Sequence, residues 1–301
     1  MKWELRGTFT AMMTPFKRDG KIDEEGIRRL VKIQLDRGIN GLVPCATTGE
    51  AAVLSHDEKL LLVKTMVDAS NGKVPVIAGG GTNNTAETVT LAKEFADIGV
   101  DGLLLVVPYY NRPTQEGLFQ HFKTVAQSTD LPIVLYNIPG RTASNLDVQT
   151  VQRLSQVKGI VGLKESSGNF GQIIRLIRDV GGKISIVSGD DPFALPIIAL
   201  GGRGVISVAS NLVPGEMSKL VNAALYGDFE QARQVHYRLL PLFDVLLVET
   251  NPAPLKMAMS ILGLSTNLVR LPLVPVSDQT TQKIKTILEE LGLSKVHAPV
   301  S

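Results

Sequence analysis

A single cysteine, Cys45, stands in a chain of 301 residues, so no internal disulfide can form and nothing in the thiol content asks for an oxidising compartment. Neither sign of charge is in surplus. Lys and Arg total 31 against 29 Asp and Glu, a net +2 that gives no electrostatic case for nucleic acid as the principal partner. No apolar run approaches the ~20 residues of a membrane span. Residues 1–6 carry Lys2, Glu4 and Arg6 without the apolar stretch that a signal peptide places behind its charges. Aromatic residues make up only 5% of the chain. With 44% hydrophobic and 20% charged residues, the composition is nevertheless that of a folded globular protein. The expectation is a cytoplasmic protein with no membrane and no nucleic-acid partner.

Short, continuously apolar runs alternate with amphipathic stretches. The runs cover residues 9–15, 41–45, 74–78, 102–107, 133–137, 160–164, 184–188 and 204–207. Runs this short and this apolar suit strands of a parallel sheet covered on both faces. Helical periodicity fills residues 24–37, 56–69, 86–98, 115–128 and 170–180, with Asp23, Ser55 and Asn84 as candidate caps. Strand starts recur every 20–33 residues or so, the spacing of βαβ units. Eight units predict an α/β fold, a closed (β/α)8 TIM barrel. The alternation is expected to stop after Val213-Pro214, with only helices from residue 228 onward, at 228–248, 254–262 and 278–291. The expected organisation is a catalytic barrel over 1–225 followed by a C-terminal helical domain over 226–301, whose last residues, 294–301, are held loosely.

Barrels of this kind place their chemistry at the C-terminal ends of the strands. The second run ends in Thr47-Thr48-Gly49-Glu50, the fourth in Tyr109-Tyr110-Asn111, and the fifth in Tyr136-Asn137-Ile138-Pro139-Gly140-Arg141. The sixth ends in Lys164-Glu165, the seventh leads to Asp190-Asp191, and the eighth ends at Ser207. Of five tyrosines in the chain, Tyr109, Tyr110 and Tyr136 fall at these ends. Lys164 follows Ile160-Val161-Gly162-Leu163 and so projects from a buried strand. A lysine among apolar neighbours loses hydration, which favours the neutral amine that attacks a carbonyl to form a Schiff base. An ion pair with a barrel carboxylate such as Asp190 is the other reading. The hydroxyls of Tyr136, Thr47 and Thr48 are able to pass protons, although the threonines serve equally to turn the chain. Arg141 suits a carboxylate, or is an ordinary loop arginine. Asp190-Asp191-Pro192 reads as a helix start. Gly79-Gly80-Gly81 lacks the Lys-Ser/Thr of a P-loop and points to close backbone packing. His56, His121, His236 and His297 lie on helical stretches or in the tail, so no catalytic metal is expected.

These strand-end motifs closely resemble the dihydrodipicolinate synthase family, the 4-hydroxy-tetrahydrodipicolinate synthases. The likeness spans about residues 7–291. It includes Ser188-Gly189-Asp190-Asp191, Gly204-Val205-Ile206-Ser207 and Asn251-Pro252-Ala253-Pro254-Leu255-Lys256. It implies that Lys164 forms a Schiff base with pyruvate and that Tyr136 relays protons with Thr47 and Tyr110, the last reaching in from a neighbouring subunit. It further implies that Thr48 and the Ile206 backbone hold pyruvate, and that Arg141 holds the carboxylate of aspartate-4-semialdehyde. No cofactor and no metal are implied, and the assembly would be a homotetramer, a dimer of dimers. Sugar-acid lyases of the same superfamily share the lysine and tyrosine but generally lack an arginine in this turn, which favours the synthase. A non-catalytic barrel remains a third reading. Ala46 replaces the glycine many members have before the threonines. Ala52, His56, Asn83, Glu87 and Tyr109 match the family's lysine-effector site. A cationic Lys59 beside them would repel the ammonium of lysine, so weak or absent feedback inhibition is expected.

Overall fold

The computed structural model describes residues 4–293. Its eight parallel strands are β1 Gly7–Ala11, β2 Gly41–Val43, β3 Ile77–Gly79, β4 Gly102–Val106, β5 Ile133–Asn137, β6 Ile160–Glu165, β7 Ser185–Ser188 and β8 Gly204–Ser207. They stand side by side in the order β2-β1-β8-β7-β6-β5-β4-β3, and a parallel bridge between Leu42 and Val76 joins the two ends into a barrel. The helices between them are α1 Glu24–Asp36, α2 His56–Ser70, α3 Thr85–Ile98, α4 Gln115–Ala126, α5 Pro139–Thr142, α6 Val148–Leu154, α7 Phe170–Val180, α8 Ala194–Ala199 and α9 Pro214–Leu225. Three more follow the barrel: α10 Phe229–Val245, α11 Ala253–Ile261 and α12 Asp278–Glu290. The (β/α)8 barrel with C-terminal helices is the expected fold class.

Alternation along the strands divides the core in two. Phe9, Ala11, Val43, Ile77, Leu104, Val134, Tyr136, Val187 and Ile206 pack together inside the barrel, with Leu5 beneath them. The residues between, such as Leu42, Leu103, Leu105, Leu135 and Leu163, face outward into a second layer shared with the helices. Helix α7 shows how a helix docks on that layer: Ile173, Leu176 and Val180 recur at three- and four-residue steps and are buried, while Ile174 is exposed. Each such side chain contributes ~1.5–3 kcal/mol on burial.

The element boundaries differ from expectation for local reasons. Strand β1 stops at Ala11 rather than continuing to residue 15, because the Met13 N–H leaves the ladder to donate to Asn211 Oδ1 at 3.1 Å. Strand β3 starts at Ile77 rather than 74, since Pro75 has no N–H and that of Val76 goes to Asp101 Oδ2 at 2.9 Å. Ser55 caps α2 in a reciprocal box with Glu58, and Asn84 caps α3, but the Asp23 side chain makes no capping bond and instead meets Arg29. The βα alternation runs on past residue 213. Pro214 and Gly215 open α9, the eighth barrel helix, where a missing N–H is harmless. The tail from residue 294, with His297, lies outside the described residues. Among those described, no helix is long and apolar enough to cross a membrane.

Candidate active site

Strand register places Lys164. Its neighbours across the sheet are Tyr136 on β5 and Val187 on β7, both in the inner cluster, so the lysine also points into the barrel, near its C-terminal mouth. Lys164 is 3% exposed, and its Nζ lies 4.1 Å from the ring centroid of Tyr136. Among the described residues no carboxylate pairs with it, which removes the ion-pair alternative. Asp190 lies close enough for the lysine charge to act on its carboxyl, but burial dominates and raises that pKa. The lysine stem runs where a side chain at position 189 would stand: a Cβ on Gly189 would meet Lys164 Cε at 2.8 Å and Ser166 Oγ at 1.9 Å. The glycine keeps the channel open. Next to Lys164, Glu165 is buried and accepts from the Ser167 N–H at 2.7 Å and from Asn137 Nδ2 at 3.1 Å. Burial raises its pKa despite those bonds.

A cavity of about 620 Å³ opens at this mouth, with Thr47, Glu50, Tyr136, Ile138, Arg141 and Asn251 on its wall. Thr47 and Thr48 occupy a short turn of 3-10 helix, Thr47–Gly49, immediately after β2. Ala46 before it has φ −92, open to any residue, so alanine there causes no strain. Thr48 is buried and its Oγ accepts from Asn251 Nδ2 at 3.1 Å. Arg141 sits on α5 and donates to the Asn251 carbonyl at 3.5 Å. Ile206 is fully buried on β8, paired with Phe9 of β1. Tyr110 stands apart: it is 89% exposed, in the left-handed region at φ 72, and does not line the cavity.

Ala52, Glu87 and Tyr109 share the cavity's wall with Lys59. Burial, then the negative charge of Glu87, raises the Tyr109 pKa. His56 turns to Glu94 at 3.1 Å, and the Asn83 carbonyl accepts from Asn111 Nδ2 at 2.9 Å, so neither joins that wall. The glycines after β3 pack backbone on backbone as expected: a Cβ on Gly79 would stand 2.1 Å from the Cys45 carbonyl oxygen, and one on Gly81 2.4 Å from the Val106 nitrogen. Asp190-Asp191-Pro192 does begin a helical turn, but its carboxylates do not cap it. Asp191 Oδ2 instead accepts from the Val208 and Ala209 N–H groups at 3.1 and 2.9 Å, bracing the turn after β8. Among the described residues, no group of three or more His, Cys, Asp or Glu could hold a metal ion.

Sequence reasoning passed over a second buried lysine. Lys256 on α11 is fully buried, ion-paired to Glu50 Oε1, and donates to the Leu268 carbonyl at 2.8 Å. Its Nζ also lies 4.0 Å from the Phe16 ring centroid. Burial outweighs the attraction of Glu50 and pulls the lysine pKa down to about 8. The available signal was the one that marked Lys164, a lone charge inside an apolar stretch, here Leu255-Lys256-Met257-Ala258-Met259.

Comparison with known proteins gives this geometry its relatives. The model of the dihydrodipicolinate synthetase family matches residues 4–291. A 4-hydroxy-tetrahydrodipicolinate synthase of Methanothrix thermoacetophila is 47% identical over 96% of this chain and 97% of its own length. The crystal structure of dihydrodipicolinate synthase from Aquifex aeolicus superposes with a TM-score of 0.95 at 43% identity, covering 97% of this chain and all of that one. A structure described as the first monomeric dihydrodipicolinate synthase variant gives 0.94 at 42% identity over 96% and 97% of the two chains. With an inward lysine on β6, a tyrosine against it and near-complete coverage of such relatives, this chain belongs to the dihydrodipicolinate synthetase family.

Proposed function

We infer that the protein is a lyase, a 4-hydroxy-tetrahydrodipicolinate synthase that condenses pyruvate with L-aspartate-4-semialdehyde in lysine and diaminopimelate biosynthesis. The observation that carries the chemistry is the buried Lys164 amine on the face of Tyr136, ion-paired to no carboxylate among the described residues. In the reading we put forward, Lys164 Nζ adds to C2 of pyruvate, and loss of the carbinol oxygen as water leaves the imine. Removal of a C3 proton gives the enamine, whose C3 attacks the aldehyde carbon while the aldehyde oxygen takes up a proton. The amine of the second substrate then adds to C2 and displaces Lys164, closing the ring and freeing the enzyme. Tyr136 and Thr47 supply the hydroxyls that move these protons. Thr48 and the Ile206 backbone hold the pyruvate carboxylate, and Arg141 holds that of the semialdehyde. No cofactor or metal takes part in these steps.

Tyr110 would complete the relay from a neighbouring subunit of a homotetramer, a dimer of dimers. Its 89% exposure on a single chain supports this, and sedimentation as a monomer would refute it. The division into barrel, residues 1–225, and helical domain, residues 226–301, and a cytoplasmic location belong to the same reading; independent unfolding of the two parts and fractionation with membranes are the results against them. Ala52, Glu87 and Tyr109 on the cavity wall, with His56 and Asn83 off it, are the candidate effector residues. Lys59 on the same cavity wall as Glu87 and Tyr109 supports weak or absent inhibition by lysine; potent inhibition in a steady-state assay contradicts it.

The decisive experiment is borohydride reduction with pyruvate, followed by peptide mass spectrometry. The reduced adduct is expected on Lys164 and absent from Lys164→Ala. No adduct, or one on another lysine, ends the reading. An aldolase of sugar acids has no need of Arg141, because a polyol carries no carboxylate at that end. Arg141→Ala is therefore expected to lose tenfold or more in kcat/KM with aspartate-4-semialdehyde, on the order of a charged hydrogen bond.

A further inference from the structure

Asn251 lies outside the barrel, between α10 and α11, yet its side chain is only 7% exposed and lines the cavity. The two ends of its amide are treated differently. Nδ2 is committed to Thr48 Oγ at 3.1 Å, whereas Oδ1 is buried with no hydrogen-bond partner. Buried polar atoms are almost always satisfied. Asn251 lines the cavity, so this acceptor is left without the donor that a bound ligand would supply. Its position gives the donor a character: the Asn251 main-chain carbonyl receives Arg141 Nη2, so the free amide oxygen belongs to the residue that the cavity's guanidinium touches. A ligand that meets both groups must carry an anionic group and a hydrogen-bond donor close together. The head of an α-amino acid does so, with its carboxylate and ammonium on one carbon.

We propose that Asn251 Oδ1 accepts a hydrogen bond from the α-ammonium of the aldehyde substrate while Arg141 holds the neighbouring carboxylate, making Asn251 a specificity-determining residue. The inference rests on the Schiff-base reading above and deepens it by naming the feature of the second substrate that is recognised. Thr48 anchors the amide so that Oδ1 is turned away from it. Because Thr48 Oγ accepts from Nδ2, its own hydroxyl hydrogen is left for another acceptor, such as a pyruvate carboxylate. One amide thereby joins the two substrate positions.

Two unreactive alcohols test this: L-homoserine, which has the ammonium, and 4-hydroxybutyrate, which lacks it. Each is titrated calorimetrically into the full-length protein saturated with pyruvate. The wild type is expected to bind homoserine about tenfold or more tightly, the scale of one hydrogen bond to a charged group. In Asn251→Ala and Asn251→Leu the preference should fall to within about threefold, chiefly through loss of homoserine affinity. A folded variant that keeps the full preference overturns the proposal. So does a wild type that shows no preference, including one that binds neither alcohol, and this arm needs no variant to fold. Failure of the underlying reading shows separately, as absence of the borohydride-trapped pyruvate adduct in the wild type.

Discussion

Replacing Lys256 with methionine, Glu50 with glutamine, or both, probes a pair whose side chains have no exposed surface at all. In Lys256→Met the Glu50 carboxylate keeps the Arg270 N–H, 3.0 Å from Oε2, but loses its ion-pair partner in a place water does not reach. Removing one partner of a buried pair in this way costs ~3–5 kcal/mol. Glu50→Gln leaves the opposite problem, an ammonium with the Leu268 carbonyl and the Phe16 ring but no anion, and a similar cost. The double variant has no buried charge. Desolvation of two buried charges roughly cancels their mutual attraction, so losing both together should cost under about 2 kcal/mol. Denaturant unfolding followed by circular dichroism, at one protein concentration for all four proteins, reads these values. Single variants within 1 kcal/mol of wild type, or a double variant as unstable as the sum of the singles, would refute the account.

The other predictions are local. Gly189→Ala puts a methyl 2.8 Å from Lys164 Cε, so the stem must move; the pyruvate adduct trapped by borohydride should form at least tenfold more slowly while the protein remains folded, and unchanged trapping would show that the channel is not tight. His121 is a buried base held at about pKa 4 against an ordinary 6.5, with Nδ1 on Thr85 Oγ at 2.9 Å. Between those values the unfolded chain takes up a proton that the folded protein does not. His121 therefore subtracts stability as pH falls from 6.5 towards 4, by up to about 3 kcal/mol. His121→Gln should flatten that part of the stability profile; an equally steep loss in the variant assigns it to other groups.

The fold was legible because barrel strands are buried on both faces and appear as short apolar runs whatever their partners. Helix starts were legible where the cap is local, as at Ser55 and Asn84, and misread at Asp23, whose carboxylate prefers Arg29. Strand ends were not, because what ends β1 is Asn211, nearly two hundred residues away. The same distinction holds in the site. Lys164 and Tyr136 announce themselves by position at strand ends. Lys256 carries the same mark, a charge in an apolar stretch, but its partner Glu50 does not show, and neither does Asn251, whose meaning comes from Thr48 on a loop that only the folded chain brings near.

A chain ending just after α9 would keep every barrel strand, the amine and the phenol beside it. It would still lack part of the container. Asn251, Pro272 and Leu273 form wall that the eight βα units do not supply, and Thr48 would lose the amide that orients it. The helical appendix is thus a component of the reaction vessel, and a transplant of the barrel alone would carry the reagents with part of the wall missing.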